Sequence, residues 1–213
     1  MKEFKHIIFD LDGTIIDSKS EIIFTYTKLL EQIPTEHHLD LNSIDFGANL
    51  NDVLNYIYKA DNSKKRQAKE LFAQLYDNSS FEKTLVYENV YQTLDILKQK
   101  NFFLYIATNK RYIPSKNILK AKNLEHYFTD VMANELEPNV TLLKTDMIKY
   151  LMDKYGFKNG IMIGDTVGDI KAGKENGLTT IAVSYGYQTL FELEQIKPTY
   201  IANSFENLIK FVL

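Results

Sequence analysis

Two carboxylates separated by one residue, Asp10 and Asp12, follow the apolar run His6–Phe9. A run of this length indicates a short buried strand, and residues i and i+2 of an extended chain point to the same side. Both carboxylates can therefore face one position beyond the strand end, where Gly13 permits a sharp turn. Because adjacent carboxylates repel each other unless a cation lies between them, the pattern indicates a site for a hard divalent metal, most simply Mg2+. A strand that ends in an ordinary polar turn has the same pattern, so the rest of the sequence must distinguish the two interpretations.

Other residues with suitable chemistry also fall where a predicted strand ends or a predicted helix begins. They are Thr108 and Asn109 after a strand over residues 102–107, Lys144 at the start of a helix over residues 144–155, and Asp165 and Asp169 after a strand over residues 160–163. Taken singly, each has an ordinary alternative: a turn at Thr108, a surface lysine at Lys144 and a helix N-cap at Asp165. Taken together, they can converge on one edge of a sheet.

The predicted elements explain how such convergence would arise. From residue 85 onward, helical periodicity alternates with short apolar runs, which predicts a parallel sheet with helices on both faces. In such sheets the ligand site lies outside the carboxyl ends of the strands. Residues 16–84 instead have a nearly all-helical pattern. We therefore expect an α/β core formed by residues 1–15 and 85–213, with residues 16–84 inserted as a small helical domain.

Composition narrows the class of protein. The 213 residues carry a formal net charge of -3, which gives no basic surface for nucleic acid, and contain no cysteine, which excludes disulfides and thiolate chemistry. No apolar stretch approaches the length of a signal core or a membrane span. These features predict a cytoplasmic protein that binds neither nucleic acid nor membrane, and they leave open whether it is a monomer or a homodimer.

The polar positions, taken in order, resemble the motifs of the haloacid dehalogenase superfamily of phosphotransferases. The first motif, Asp-x-Asp-Gly-Thr, matches Asp10–Thr14; Thr108 matches the second, Lys144 the third, and Gly164–Asp169 the fourth, Gly-Asp-x-x-x-Asp. The resemblance covers the whole chain and implies a Rossmann-like core. The helical insert after the first motif is similar to the cap domain of phosphoglycolate phosphatases, β-phosphoglucomutases and phosphonatases.

The resemblance also implies a role for each matched carboxylate. Asp10 would be the nucleophile that forms an aspartyl-phosphate, while Asp12 would protonate the leaving oxygen and then deprotonate water. Mg2+ would bind to Asp10, to the backbone carbonyl of Asp12 and to Asp165. Asp169 would bind the metal through water or orient Lys144.

Further residues are implied to contact the substrate, a small phosphorylated metabolite. They are Thr108, Lys144, Gly13, Thr14 and Asn109 for the phosphoryl group, and Gly47 and Asn49, in a loop of the cap, for the leaving group. The cap loop carries no charge, which predicts weak affinity for a strongly anionic leaving group such as glycolate.

Two other classes of protein share parts of this pattern. Gly168–Lys174 spells the start of a nucleotide-binding loop, but Glu175 follows where Ser or Thr is needed for Mg2+, and the loop should begin directly after the strand. A non-catalytic phosphoaspartate signalling domain also uses an acidic pair, a Thr and a Lys. Such domains carry the phosphate acceptor on a later strand and lack a helical insert here.

Within the superfamily, the sequence favours a phosphatase of the phosphoglycolate type. Asp12 favours phosphate esters, because loss of a halide needs no proton. Leu50 stands where a phosphonatase carries its Schiff-base lysine and a β-phosphoglucomutase tends to carry an arginine, and Ile22 stands where the latter carries a histidine. A β-phosphoglucomutase-like phosphotransferase and a nucleotidase or pyrophosphatase stay as alternatives.

Overall fold

The computed structural model describes residues 5–35, 40–44, 46, 50–134 and 142–213. The chain divides into two compact units, one formed by Met1–Asp17 and Val86–Leu213 and the other by Ser18–Leu85. Within the described ranges, no helix is both long enough and apolar enough to cross a membrane.

The strands, in chain order, are β1 (His6–Phe9), β2 (Ile16–Asp17), β3 (Leu85–Val86), β4 (Phe103–Arg111), β5 (Asp130–Asn134), β6 (Ile161–Gly164), β7 (Thr179–Val183) and β8 (Tyr200–Ala202). The helices are α1 (Lys19–Gln32), α2 (Leu50–Tyr58), α3 (Asn62–Asp77), α4 (Val90–Gln99), α5 (Tyr112–Ala121), α6 (Lys144–Tyr155), α7 (Val167–Glu175), α8 (Leu190–Gln195) and α9 (Ile209–Val212). Short 3-10 turns cover Leu41–Ser43, Glu125–Tyr127 and Glu206–Leu208.

Six strands form the sheet of the larger unit, in the order β5-β4-β1-β6-β7-β8, and every neighbouring pair is parallel. The central strand β1 has Ile7, Ile8 and Phe9 fully buried, as expected for a strand covered by helices on both faces. Phe9 pairs with Ile106 of β4 and with Ile163 of β6, so the carboxyl end of β1 lies level with these two residues. The predicted α/β fold class with a parallel sheet is confirmed.

Strand β4 continues further than the sequence predicts. Thr108 still pairs with Ala133 of β5, and after a shift of register Arg111 pairs with Asn134, so the strand ends at Arg111 rather than at residue 107. The apolar pattern stops at Ala107 and the side chain of Asn109 is exposed, but backbone pairing with β5 goes on. Thr108 and Asn109 therefore lie within a strand and not in a turn after it.

The smaller unit contains α1, α2 and α3. The rings of Tyr26 in α1 and Phe72 in α3 lie 4.7 Å apart, and Asp61 caps α3 by accepting a hydrogen bond from the backbone N–H of Lys64 at 2.9 Å. Buried Glu21 in α1 accepts hydrogen bonds from the hydroxyl of Ser79 and from the backbone N–H of Lys83. A buried carboxylate thus connects the first helix of this unit to its last residues.

The nucleotide-loop alternative does not fit the structure. Gly168–Lys174 lies inside α7 rather than in a loop that follows a strand, so its backbone N–H groups belong to a helix. Gly173 has a packing role there: a Cβ at this position would lie 2.7 Å from the Cβ of Met162 in β6 and 2.8 Å from Cγ2 of Thr180 in β7. The second glycine of the pattern therefore lets α7 pack closely on the sheet.

Candidate active site

Asp10 and Asp165 follow neighbouring strands and lie at the same edge of the sheet. The backbone N–H of Asp10 donates to the carbonyl of Ile163 at 2.9 Å, which continues the pairing of β1 with β6 beyond Phe9. Asp10 and Asp165 are both buried. The topology therefore brings together two carboxylates that are separated by more than 150 residues of sequence.

Lys144, the first residue of α6, joins two of the carboxylates. Its Nζ donates to Oδ1 of Asp10 at 2.6 Å and also contacts Oδ1 of Asp169. Burial acts to lower the pKa of Lys144, but the negative charges of Asp10 and Asp169 outweigh burial and raise it. The lysine is therefore held in its charged form between the two carboxylates.

Asp169 uses both of its carboxylate oxygens inside the protein. While Oδ1 contacts Lys144, Oδ2 accepts hydrogen bonds from the backbone N–H of Thr166 at 2.9 Å and from its hydroxyl at 2.7 Å. In return, the N–H of Asp169 donates to Oγ1 of Thr166, which completes a capping box at the start of α7. Asp169 is thus placed to orient Lys144. Thr166, and not Asp165, is the N-cap of this helix.

Asp10, Asp165 and Asp169 form a buried acidic group in which one oxygen of each lies within 4.8 Å of the others. Burial raises the pKa of Asp10, while Lys144 opposes the shift. Burial and the charge of Asp169 raise the pKa of Asp165 to about 6. Three carboxylates against one ammonium group leave a surplus of negative charge, and hard oxygen donors of this kind suit a divalent cation such as Mg2+. The donor set therefore fits the predicted metal.

The Asp12 side chain lies outside this acidic group. Its Oδ2 forms an ion pair with Nζ of Lys110 at 3.1 Å, with the side chains of Asp12 and Lys110 only 18% and 9% exposed. Sequence analysis does not identify Lys110. The available signal is its position two residues after Thr108, since alternate residues of an extended strand face the same side.

The remaining predicted phosphate contacts lie around the same strand ends. Thr108 is buried, and its Oγ1 accepts a hydrogen bond from the backbone N–H of Lys110 at 3.2 Å, while the Asn109 carbonyl accepts one from Asn134 at 3.1 Å. Thr14 is fully buried and donates from Oγ1 to Oδ1 of Asp165 at 3.0 Å. The Thr14 side chain is therefore committed to Asp165. The predicted cap-loop residues Gly47 and Asn49 lie outside the described residues.

The segment after β7 also reaches the site, and sequence analysis misses it. The backbone N–H of Tyr187 donates to Oδ2 of Asp165 at 2.8 Å, and the hydroxyl of Tyr185 donates to the carbonyl of Thr14 at 2.8 Å. Gly186, between the two tyrosines, packs against Asp165. The segment carries no acidic or basic side chain that would draw attention to it. The available signal is its place after a strand of the same sheet.

Comparison with known proteins gives the family. A family model described as haloacid dehalogenase-like hydrolase matches residues 7–183, most of the chain. The chain belongs to this family.

The relatives that this chain resembles are named as phosphatases. The chain is 28% identical to a phosphoglycolate phosphatase from Vibrio vulnificus (strain YJ016), covering 100% of this chain and 97% of the relative. It is 29% identical to a phosphoglycolate phosphatase from Mannheimia succiniciproducens, covering 99% of both proteins. Among solved structures, it resembles that of a predicted phosphatase from Clostridium acetobutylicum, with a TM-score of 0.84, 30% identity and 98% of each chain covered. The predicted family and enzyme class, a phosphatase of the haloacid dehalogenase type, are confirmed.

Proposed function

We propose that this chain is a Mg2+-dependent phosphatase that hydrolyses a small phosphorylated metabolite through an aspartyl-phosphate on Asp10. The observation that carries the proposal is the contact of Lys144 with Asp10 inside a buried group that also contains Asp165 and Asp169. This group lies at the carboxyl ends of adjacent parallel strands, where sheets of this kind bind ligands. Membership of the hydrolase family supports an enzyme over a phosphoaspartate signalling domain.

Asp10 is the proposed nucleophile. An oxygen of its carboxylate attacks phosphorus, a P–O bond to Asp10 forms, and the P–O bond to the leaving group breaks. Lys144 fixes the Asp10 carboxylate through the 2.6 Å contact, and its charge offsets the negative charge that accumulates as two anions approach. Thr108, on the neighbouring strand, is proposed to bind a phosphoryl oxygen together with the backbone N–H of Asn109. The predicted contact of Gly13 does not use its N–H, which donates to the carbonyl of Ile16 at 2.8 Å.

The acidic group would hold the metal. Asp10, Asp165 and the backbone carbonyl of Asp12 would bind Mg2+ directly, and Asp169, whose oxygens both have partners, would orient Lys144 or bind Mg2+ through water. When bound, Mg2+ supplies positive charge that offsets the phosphoryl group and the carboxylates. With this charge present, Asp10 is ionised at neutral pH despite its burial.

Asp12 is the proposed general acid and base. It donates a proton to the leaving oxygen, and then takes a proton from the water that attacks the aspartyl-phosphate and releases inorganic phosphate. Its side chain is partly exposed, as proton exchange with the leaving group and with water requires. The ion pair with Lys110 holds the Asp12 carboxylate apart from the acidic group and would keep its orientation through both steps.

We propose a substrate of the phosphoglycolate class, although the uncharged cap loop predicts that 2-phosphoglycolate itself binds weakly. Names of the relatives support this class over the phosphoglucomutase, nucleotidase and pyrophosphatase alternatives. The helical unit, Ser18–Leu85, would act as a cap domain, and its Gly47 and Asn49 would contact the leaving group. The cytoplasmic location stays a prediction.

Release of phosphate tests the proposal directly. With Mg2+ present, the wild-type protein should release phosphate from 2-phosphoglycolate or another member of a panel of phosphorylated metabolites, and from p-nitrophenyl phosphate. Asp10→Asn should abolish release, because an amide is a poor nucleophile. Asp153→Asn, at an exposed position of α6, serves as the matched control and should retain activity.

Hydroxylamine trapping identifies the intermediate. Acyl phosphates react with hydroxylamine, so protein quenched during turnover should carry a hydroxamate at residue 10, located by mass spectrometry. Wild-type turnover in Asp10→Asn, or a hydroxamate at another carboxylate, would overturn the mechanism.

A further inference from the structure

The segment Tyr185–Gln188 connects β7 to α8 and belongs to none of the four sequence motifs. We call it the 185–188 loop. It contacts both the segment after β1, which contains Gly13 and Thr14, and the segment after β6, which contains Asp165. A loop that touches both segments can fix their relative position.

Hydrogen bonds join the 185–188 loop to both segments. The Tyr185 hydroxyl donates to the carbonyl of Thr14 at 2.8 Å, and the Tyr187 N–H donates to Oδ2 of Asp165 at 2.8 Å. Oε1 of Gln188 accepts from the backbone N–H of Val167, the first residue of α7, at 2.5 Å. The loop is therefore hydrogen-bonded to the segment after β1, to Asp165 itself and to the first residue of α7.

Gly186 fills the space beside Asp165 so closely that no side chain fits. A Cβ on Gly186 would lie 2.2 Å from the Cβ of Asp165 and 2.5 Å from the carbonyl oxygen of Gly13. A Cβ on Gly13 would likewise lie 2.1 Å from Oδ2 of Asp165. Two glycine backbones thus pack closely against the carboxylate, which leaves Asp165 little freedom to change its rotamer.

Both oxygens of Asp165 keep capacity for a metal in this arrangement. Oδ1 accepts one hydrogen bond from Thr14, and Oδ2 accepts one from Tyr187. A carboxylate oxygen has two lone pairs, so, counting partners from the described residues, one on each oxygen is still available. The contacts therefore orient the carboxylate without saturating it, as partners of a metal ligand commonly do.

We propose that the 185–188 loop is a positioning element that fixes the orientation of Asp165 for binding of the divalent metal, with Gly186 as its essential residue. The inference rests on the metal site of the proposed function. It adds Gly186 and Tyr187 as residues that act through Asp165, and Tyr185 as a residue that acts through Thr14, whose hydroxyl donates to Asp165.

Metal binding in the absence of substrate tests this role. Mn2+ affinity would be measured by electron paramagnetic resonance on metal-free protein, with Mg2+ as competitor. In Gly186→Ala the added methyl group must displace either Asp165 or the loop, so we expect affinity about 10- to 100-fold weaker, the usual effect of disturbing a partner of a metal ligand. Tyr185→Phe keeps the ring and removes only the hydroxyl, so we expect a loss of roughly 2- to 10-fold from one hydrogen bond.

Gly168→Ala is the matched control. A Cβ at this position of α7 meets only Oγ1 of Thr166 at 3.5 Å, an ordinary contact, so metal affinity should stay within about two-fold of wild type. Thermal melting of each variant shows whether the protein is folded at the temperature of the titration. If Gly186→Ala does not fold, Tyr185→Phe alone decides the question.

The outcomes separate this inference from the proposed function. Weaker Mn2+ binding in the folded loop variants, with Gly168→Ala unchanged, supports the positioning role. Wild-type affinity in the folded loop variants would overturn that role, while Asp165→Asn still abolishes binding and the metal site stands. Wild-type affinity in Asp165→Asn would overturn the metal site itself and the inference with it.

Discussion

Lys144→Met is expected to destabilise the metal-free protein strongly. The substitution keeps most of the apolar stem of the side chain and removes the ammonium group that contacts Asp10 and Asp169. Both carboxylates are buried, so neither can regain its lost interaction from water. Removing one partner of a buried ion pair typically costs about 3–5 kcal/mol, because an uncompensated charge is left behind.

Helix α6 also supplies a matched control. Lys154 lies near the other end of the helix and forms an ion pair with Asp130 at 2.7 Å, nearly the same distance as in the Lys144 pair. The side chain of Lys154 is 45% exposed, so solvent screens this ion pair and Lys154→Met should destabilise the protein far less than Lys144→Met. The two variants carry the same substitution in the same helix and lose ion pairs of nearly equal length, so they differ mainly in the burial of the pair.

Urea unfolding of both variants in EDTA, at pH 5 and pH 8, measures the difference. In Lys144→Met the pKa of Asp10, already raised by burial, rises further because the lysine no longer opposes the shift. A carboxyl group whose pKa is higher in the folded than in the unfolded chain costs nothing below the unfolded value and costs most above the folded value. The loss should therefore be larger at pH 8 than at pH 5, and Mg2+ should restore part of it at pH 8. Equal losses in the two variants, or a larger loss at pH 5, would refute this electrostatic account of the site.

Three further predictions concern Asp165, Lys110 and Glu21. Burial raises the pKa of Asp165 from 3.8 to about 6, so ionisation of this group should lower the free energy of unfolding of the metal-free protein by up to roughly 3 kcal/mol as pH rises through this interval. Asp165→Asn should remove this contribution and leave that of Asp10, so the stability of the variant should fall less steeply with pH; parallel pH profiles of the two proteins would contradict this. Lys110→Met removes the ion pair with Asp12, so it should lower kcat about ten-fold or more for alkyl phosphates and less for p-nitrophenyl phosphate. Lys110→Arg should retain most activity, and equal losses on both substrates would argue against a role through proton transfer. Glu21→Gln should cost about 1–3 kcal/mol in thermal unfolding, because the partly buried donors of Ser79 and Lys83 lose a charged acceptor. An unchanged melting temperature would show that these hydrogen bonds are not stabilising.

The sequence predicts those parts of the site that depend on local pattern. Helix α6 begins and ends where its periodicity and Gly156 predict, and the backbone of Gly156 is left-handed there, with φ of 68°. Asp10 and Asp165 follow apolar runs that form buried strands, so the rule for parallel sheets correctly places them at one edge. In these cases, the information lies within a few neighbouring residues.

What the sequence does not predict depends on backbone pairing or on distant partners. The extension of β4 to Arg111 arises from backbone pairing with β5, which the polar side chains of the extension do not reveal. The ion pair of Lys110 with Asp12 joins residues almost 100 positions apart. Contacts of the 185–188 loop use backbone groups and a glycine, and neither leaves a chemical signature that a search for catalytic side chains would detect.

The buried carboxylate of Glu21 has a consequence for how this protein could evolve. It ties the first helix of the helical unit to Ser79 and Lys83, just before the chain leaves that unit, so the entry and exit of the unit are held together from within. Segments with adjoining ends can be inserted into a host or exchanged between hosts with little disturbance of either. In the proposed role of residues 18–85 as a cap, recombination of this segment would change the substrate preference while the acidic group of the sheet is inherited unchanged.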